Sequence, residues 1–166
     1  MVNINWRRFS LRISINTTTE KLYWCWATRE GMEYWFLRNC AYKKPEGIIR
    51  AKDEQVCKGD SYVWHWHGWP DDVKEEGALF DSNGRDYFKF SFGKAGICSV
   101  RFFEEHNHQM IELIQEEIPE DEKGKITFHV GCKTGWTFYL ANLKSLLEGG
   151  IDLRNKDELL KDVINS

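Results

Sequence analysis

Apolar and polar positions alternate at the start of the chain and then change to a helical spacing. The alternation from Asn5 to Ile15 is typical of a strand with one buried face. Thr17 and Glu20 form a capping-box pattern, which predicts that a helix begins there and runs to about Thr28. Apolar residues at helical spacing then predict a second short helix that ends before Asn39.

The middle of the chain has the two-residue period of β-strands. From Gly59 onward, the alternation predicts one strand face with Tyr62, Trp64 and Trp66 and an opposite face with Val63, His65 and His67. A hairpin is predicted from Gly77–Asp81 and Asp86–Phe92, because these alternating segments flank an Asn-Gly pair within Ser82–Arg85. We therefore expect antiparallel strands.

A second hairpin and the main helix complete the pattern. Ile97–Glu104 and Gln109–Ile118 predict the hairpin, with its turn at Glu105–His108. Pro119–Glu122 can open a helix, because acidic side chains interact favourably with the positive end of the helix dipole. Local propensity leaves open whether Ile126–Val130 is strand or helix. Apolar residues at three- and four-residue steps predict the main helix: Trp136, Tyr139, Leu140, Leu143 and Leu147.

The order of these elements determines how they pack. They bury their apolar faces together only if the sheet curves around the last helix. We therefore predict an α+β helix-grip fold, in which a curved antiparallel β-sheet wraps around a long C-terminal α-helix and two short helices follow strand 1. Residues 1–150 form this domain. Residues 151–166 form a C-terminal extension, in which Asn155 can cap a short amphipathic helix at Asp157–Ile164.

Four sequence motifs occur in an order that resembles one known family. Residues 19–36 resemble the opening helices of that family, in which a pattern of the type W-x-x-x-T-x-x-x-G-L-x-x-W-F is usual. Gly59-Asp60 precedes the Trp-rich strand, Glu76-Gly77 precedes the next strand, and Gly135-Trp136 lies in the final helix. Over residues 5–150 the chain resembles the heat-shock protein 90 ATPase activator homologues of the START-like (SRPBCC) superfamily. The resemblance implies the helix-grip fold, which also occurs in lipid and polyketide binders, cyclases, plant hormone binders and a co-chaperone domain.

Charge and composition exclude several kinds of partner. The net charge is −3 and basic residues are scattered, so we expect no nucleic-acid partner. No apolar run is long enough for a membrane span, and the N-terminal segment lacks the apolar core of a signal peptide, so we expect a cytoplasmic protein. The cysteines are widely spaced without a CxxC motif, which predicts reduced and mostly buried thiols: Cys25, Cys40, Cys57, Cys98 and Cys132.

Two histidine pairs are the candidate metal ligands. His65 and His67 lie on a predicted strand, so their rings point to one face and could bind one metal ion. The alternative is a pair of partly exposed histidines beside acidic residues, and no third ligand is visible. His106 and His108 lie in a predicted turn, where exposure alone accounts for them. We therefore predict no metal and no cofactor.

No motif indicates a catalytic nucleophile, because the chain has no GxSxG sequence or comparable elbow. Acid–base chemistry of the cyclase type would need polar groups inside a cavity. The residues that could face inward are Arg101, Glu112, Gln115 and His129. The sequence does not determine which face of the sheet they occupy, and we expect binding rather than catalysis.

Aromatic residues supply the main functional signal, since they form 14% of the chain. They could fill a solid core, but a curved sheet around one helix leaves a space that flat rings line readily. Gly135 is expected to let Trp136 approach the sheet closely. We predict a cavity for a hydrophobic or aromatic, lipid-like small molecule, lined by Trp35, Trp64, Trp66, Phe88, Phe90, Phe102, Trp136, Tyr139, Leu140 and Leu143. The alternatives are a protein-interaction or co-chaperone-like module and a cyclase- or hydrolase-type enzyme.

Overall fold

A computed structural model describes residues 4–160 and 163–164. Within these residues, seven strands form one antiparallel sheet, and three α-helices complete the fold. The strands are β1 (Phe9–Ser14), β2 (Asn39–Lys43), β3 (Ser61–His65), β4 (Lys74–Ser82), β5 (Tyr87–Ser91), β6 (Ile97–Glu105) and β7 (His108–Glu116). The helices are α1 (Thr19–Ala27), α2 (Arg29–Trp35) and α3 (Gly131–Leu147), and a short 3₁₀ helix covers Gly93–Ala95.

The sheet has the strand order β1-β7-β6-β5-β4-β3-β2, so the two strands that flank the short helices lie at opposite edges. It curves around α3, which confirms the predicted α+β helix-grip fold. The core lies between the sheet and the helices. It contains fully buried rings and aliphatic side chains from both layers, among them Trp26, Phe90, Leu113 and Leu143. Burial of this apolar surface is the main force that holds the helices against the sheet.

The two short helices are capped one after the other by threonines. Thr18, rather than the predicted Thr17, caps α1, because its hydroxyl accepts a 3.2 Å hydrogen bond from the Lys21 amide. Thr28 is extended and ends α1, and its hydroxyl accepts a 2.9 Å hydrogen bond from the Gly31 amide at the start of α2. A side chain at position 31 would clash with the Trp24 carbonyl, so only glycine fits this close approach.

Both predicted hairpins are confirmed. In the β4–β5 turn, Asn83 Oδ1 accepts hydrogen bonds from three following backbone amides, and Gly84 has a φ of +73°. The β6–β7 turn is shorter than predicted, since β6 continues to Glu105 and β7 begins at His108. His106 and Asn107 both have positive φ, at 50° and 62°, which matches the twist of a two-residue hairpin turn.

β2 had no counterpart among the predicted strands. It pairs with β3, and the segment between these two strands is held by a buried ion pair. Arg50 Nη2 donates to Asp60 Oδ1 at 3.0 Å, and Arg50 Nε donates to Asp60 Oδ2. The same Asp60 oxygen accepts a 2.8 Å hydrogen bond from the Cys57 amide. These bonds fix a long connection that has little regular structure.

A π-helical segment, Gly124–Val130, leads directly into α3. The ambiguous residues Ile126–Val130 are therefore helical. The predicted helix opening at Pro119–Glu122 is confirmed, because residues 122–123 are helical and Asp121 Oδ1 accepts a 2.6 Å hydrogen bond from the Gly124 amide. A side chain at Gly124 would clash with the Pro119 carbonyl, which explains the glycine at the first π-helical position.

The C-terminal extension packs onto the end of α2 without a helix in its described residues. Over the predicted helix Asp157–Ile164, residues 157–160 form only a turn, and residues 161–162 lie outside the described part of the chain. The buried guanidinium of Arg154 donates to three carbonyl oxygens at the end of α2, those of Glu33, Tyr34 and Leu37, at 3.1, 2.8 and 3.2 Å. Arg154 therefore caps the carbonyl groups at the end of α2.

Candidate ligand-binding cleft

An open, mostly apolar cleft of about 180 Å³ lies beside the N-terminal half of α3. Its walls come from the end of α2, the chain after β3 and β5, the π-helical segment and α3. The residues that line it are Phe36, Trp66, Phe92, Thr127, Gly131, Cys132, Gly135, Trp136 and Tyr139. The cleft therefore lies between α3 and the sheet, at the place where their surfaces separate.

The wall formed by α3 lacks side chains at two positions. Gly131, Gly135 and Tyr139 follow each other at four-residue steps and so share one helix face. A Cβ atom at Gly135 would meet nothing within 4 Å, and one at Gly131 would meet only the Ile126 carbonyl oxygen at 3.6 Å. The expectation that Gly135 permits a close approach of Trp136 to the sheet is therefore wrong. Packing would tolerate a side chain at either glycine. Because neither position has one, the space of the cleft stays open.

Trp136 forms a rigid wall of the cleft. Only 2% of its surface is exposed, and its Nε1 donates to Gln115 Oε1 at 3.0 Å. Gln115 is itself buried on β7 and donates from Nε2 to the Ala95 carbonyl at 2.8 Å. The Trp136 ring also stacks on Phe36, with 5.0 Å between the ring centroids. Two hydrogen bonds and the ring contacts thus fix the orientation of this wall.

A cluster of edge-to-face rings continues the wall from Trp136. Phe36 contacts Tyr139 and Trp66 with centroid distances of 4.8 and 5.8 Å and interplanar angles of 83° and 81°. Burial raises the pKa of the Tyr139 hydroxyl to about 12, so this group remains protonated at neutral pH. The cleft therefore presents aromatic surface together with one neutral phenol.

The structure divides the predicted cavity residues between the cleft and the core. Trp66, Trp136 and Tyr139 line the cleft. The others are buried in the core and do not line it: Trp35, Trp64, Phe88, Phe90, Phe102, Leu140 and Leu143.

Sequence reasoning missed the other residues of the cleft wall, namely Phe36, Phe92, Thr127, Gly131, Cys132 and Gly135. The four-residue spacing from Gly131 to Tyr139 is the signal that could have identified the glycines. It was hidden because the sequence did not show that α3 begins before Trp136.

The four polar candidates for catalysis do not form an acid–base pair at the cleft. Arg101 and Glu112 form a 2.6 Å ion pair across β6 and β7, and the Arg101 side chain is largely exposed. His129 is buried, but its Nδ1 is bonded to the Trp6 carbonyl oxygen at 2.9 Å. Gln115 reaches the cleft wall through Trp136, and its carboxamide does not ionise, so it cannot act as a general acid or base.

The histidine pairs do not belong to a metal cluster in the described residues. No group of three or more His, Cys, Asp and Glu residues is placed there to hold a metal ion. His65 Nδ1 is buried without a hydrogen bond. Burial, followed by the nearby charges of Arg154 and Lys156, lowers the pKa of His67. A protonated imidazole at this position is thus disfavoured.

All five cysteines are free thiols. Burial raises the pKa of Cys25 to about 12, raises that of Cys98 well above its usual value, and also raises that of Cys132 at the cleft wall. Thiols held in this form are poor nucleophiles. In the described part of the chain, no helix is both long and apolar enough to cross a membrane.

Solved structures with the same fold support this architecture. The chain is similar to the Aha1 dimer from Colwellia psychrerythraea, with a TM-score of 0.66, 15% identity, and coverage of 86% of this chain and 97% of the other. A structural genomics protein from Staphylococcus saprophyticus matches with a TM-score of 0.67, 14% identity, and coverage of 89% and 96%. No family model matches the chain, and no curated protein matches it in sequence.

A putative protein of the dynemicin biosynthetic locus is also similar, with a TM-score of 0.65 and 14% identity. The match covers 90% of this chain and 50% of the other. At these identities the similarity shows the fold alone, which is the helix-grip fold.

Proposed function

We propose that this START-like helix-grip domain binds a small hydrophobic or aromatic molecule in the cleft beside α3. The observation that carries the proposal is an aromatic cleft whose space exists because Gly131 and Gly135 have no side chains, although packing would allow them. Glycine inside a helix is less stable than alanine by about 1 kcal/mol. Two glycines on the cleft face of α3 therefore lower the stability of the helix. Such a loss is expected when the open space binds a ligand.

The size of the cleft limits the ligand. Its volume of about 180 Å³ is smaller than the roughly 300–1,000 Å³ typical of sites for drug-sized molecules. One aromatic ring or a short chain therefore enters the cleft, and the remainder of a larger ligand would lie outside it. Burial of about 150 Å² of ring surface contributes about 4 kcal/mol. Since association also costs entropy, the expected dissociation constant is about 1 mM or weaker.

Filling the cleft tests this proposal. Gly135→Leu places a side chain in the open space, whereas Thr137→Leu adds a similar side chain at an exposed position of the same helix. We expect propylbenzene to bind the wild-type protein and Thr137→Leu with equal affinity in calorimetric titrations, and Gly135→Leu to lose binding while its melting temperature is kept. Equal binding by Gly135→Leu, or no binding by the folded wild-type protein, would contradict the proposal.

A second candidate is a protein-interaction module, supported by exposed apolar side chains on the C-terminal extension. Ile151, Leu159 and Ile164 are 73%, 87% and 80% exposed, which is unusual for large aliphatic residues in one short segment. One similar solved structure is described as a dimer. Sedimentation of the protein over a range of concentrations tests this candidate. Self-association that is lost in Leu159→Ser would support it, and a monomer at all concentrations would oppose self-association.

The free thiols bear on location. All five cysteines are unpaired, including the exposed Cys57, and such thiols persist in a reducing compartment. We therefore place the protein in the cytoplasm as part of this proposal. Detection of the protein in fractionated cells checks it.

A further inference from the structure

A polar groove continues from the apolar cleft. Thr127 lines both, and Phe92 of the cleft is followed directly by Gly93 of the groove. The groove is also lined by acidic and basic side chains, which include Glu75, Lys94 and Lys123. A ligand whose apolar end lies in the cleft can therefore place a polar end in this groove.

Glu75 faces the interior at the junction of cleft and groove. It lies opposite Trp64 in the β3–β4 register, so its side chain shares the inner face of the sheet with that buried ring. Its carboxylate lies against the backbone of Gly93, where a Cβ atom would clash with it. Glu75 lines the groove together with Thr127, which also lines the cleft. The carboxylate is thus close to the apolar cleft.

This carboxylate has no cationic partner. In the described residues it forms no ion pair, and its one hydrogen bond is accepted from the Glu76 amide at 3.2 Å. Lys74, the preceding residue in the chain, also lines the groove, but it pairs with Glu76. Burial raises the pKa of Glu75. A half-buried carboxylate without a partner destabilises the protein unless another molecule donates to it.

We propose that Glu75 binds a cationic amine on the ligand whose apolar part occupies the cleft. This inference rests on the proposed function and adds the chemical class of the ligand, an amphipathic amine. An ammonium group would donate a charge-assisted hydrogen bond to the carboxylate oxygens. Lys74, Lys94 and Lys123 in the same groove favour the opposite ligand, an amphipathic anion, and this alternative is an arm of the test.

Three ligands of equal size separate these possibilities. Phenethylamine, propylbenzene and hydrocinnamate share one ring and differ in the charge at the end of a short chain. Calorimetric titration at neutral pH should show that phenethylamine binds the wild-type protein at least about tenfold more tightly than propylbenzene, and that hydrocinnamate binds most weakly. Glu75→Gln should remove the preference for the amine and leave the affinity for propylbenzene unchanged. Glu46→Gln, which removes an exposed charge that lines neither the cleft nor the groove, is the matched control and should retain the preference.

The outcomes distinguish the two proposals. If propylbenzene binds and phenethylamine binds no better, or if Glu75→Gln keeps the preference, Glu75 does not recognise an amine. Tightest binding of hydrocinnamate would also overturn this inference and assign the groove to an anion. If none of the three ligands binds to the folded protein, the cleft itself is not a ligand site and the proposed function fails.

Discussion

Trp136 connects the helix to the sheet and forms a wall of the cleft at the same time. Its indole N–H is bonded to Gln115 on β7, and its ring stacks on Phe36 beside α2. Glu75 has a different role, since it is an inner-face carboxylate that forms no ion pair with any residue the structure describes. One side chain therefore stabilises the structure that surrounds the cleft, and the other destabilises it when no ligand is bound.

Replacement of Trp136 should destabilise the protein strongly. Trp136→Ala removes a buried ring and leaves the Gln115 amide without its partner, so we expect the free energy of unfolding to fall by about 3–5 kcal/mol. Urea unfolding followed by circular dichroism measures this change. A loss below about 1 kcal/mol would show that the ring does not anchor α3.

The stability contribution of Glu75 should depend on pH. Burial raises the pKa of Glu75 in the folded protein, so the folded state holds the proton more tightly than the unfolded chain. The stability that protonated Glu75 contributes is fully present below the pKa of Glu75 in the unfolded chain. It is lost as the pH rises through the higher pKa of Glu75 in the folded protein. Glu75→Gln should therefore raise the melting temperature near pH 7 and change it much less at about pH 4.

Thermal unfolding of Glu75→Gln and Glu46→Gln at both pH values checks this prediction. Glu46 is exposed and lines neither the cleft nor the groove, so it serves as the control. A lower melting temperature of Glu75→Gln near pH 7 would mean that the charged form of Glu75 stabilises the folded protein.

Among the elements, α3 and the segment before it determine the cleft. The π-helical Gly124–Val130 places Thr127 at the junction of cleft and groove, and the following turns present Gly131 and Gly135. π-helical turns often occur at functional sites, where they change which side chains face inward. The alternating hairpins were predictable because turn chemistry and period agree. The start of the helical region before α3 was not predictable, because Ile126–Val130 has the local propensity of a strand.

The C-terminal extension should be held in place by Arg154. Arg154→Met removes hydrogen bonds to the Glu33, Tyr34 and Leu37 carbonyls and leaves these acceptors at the end of α2 unpaired. We expect the free energy of unfolding to fall by about 2–4 kcal/mol, and the extension to become sensitive to proteolysis. Lys156→Met is the control, since Lys156 is exposed and forms only an ion pair with Asp152. Equal stability of the two variants would contradict the role of Arg154.

At the scale of the whole molecule, the fold was predictable and the cleft was not. The order of elements and the apolar periods require a sheet that curves around the last helix. The cleft depends on details without a periodic signal, such as the end of β3 before Trp66 and the missing side chains of α3. Trp64 and Trp66 follow the same alternating pattern in the sequence. In the structure, however, Trp64 lies in the core and Trp66 lines the cleft.

The folded protein should not depend on a bound metal ion. The core is formed by buried apolar side chains, and the described residues include no group of three metal-ligating side chains. We therefore expect the melting temperature to stay the same after treatment with a chelator. A large decrease, or one equivalent of zinc in the purified protein, would contradict this.

The central claim is that the cleft beside α3 takes up an apolar molecule, and a nuclear magnetic resonance titration tests it most directly. Propylbenzene should cause saturable shifts of the Gly131 and Gly135 amides and of the Trp66 and Trp136 indole N–H signals, since these residues line the cleft. Signals of the C-terminal extension should not change. Shifts that do not saturate, or saturable shifts that are confined to the extension, would contradict the account.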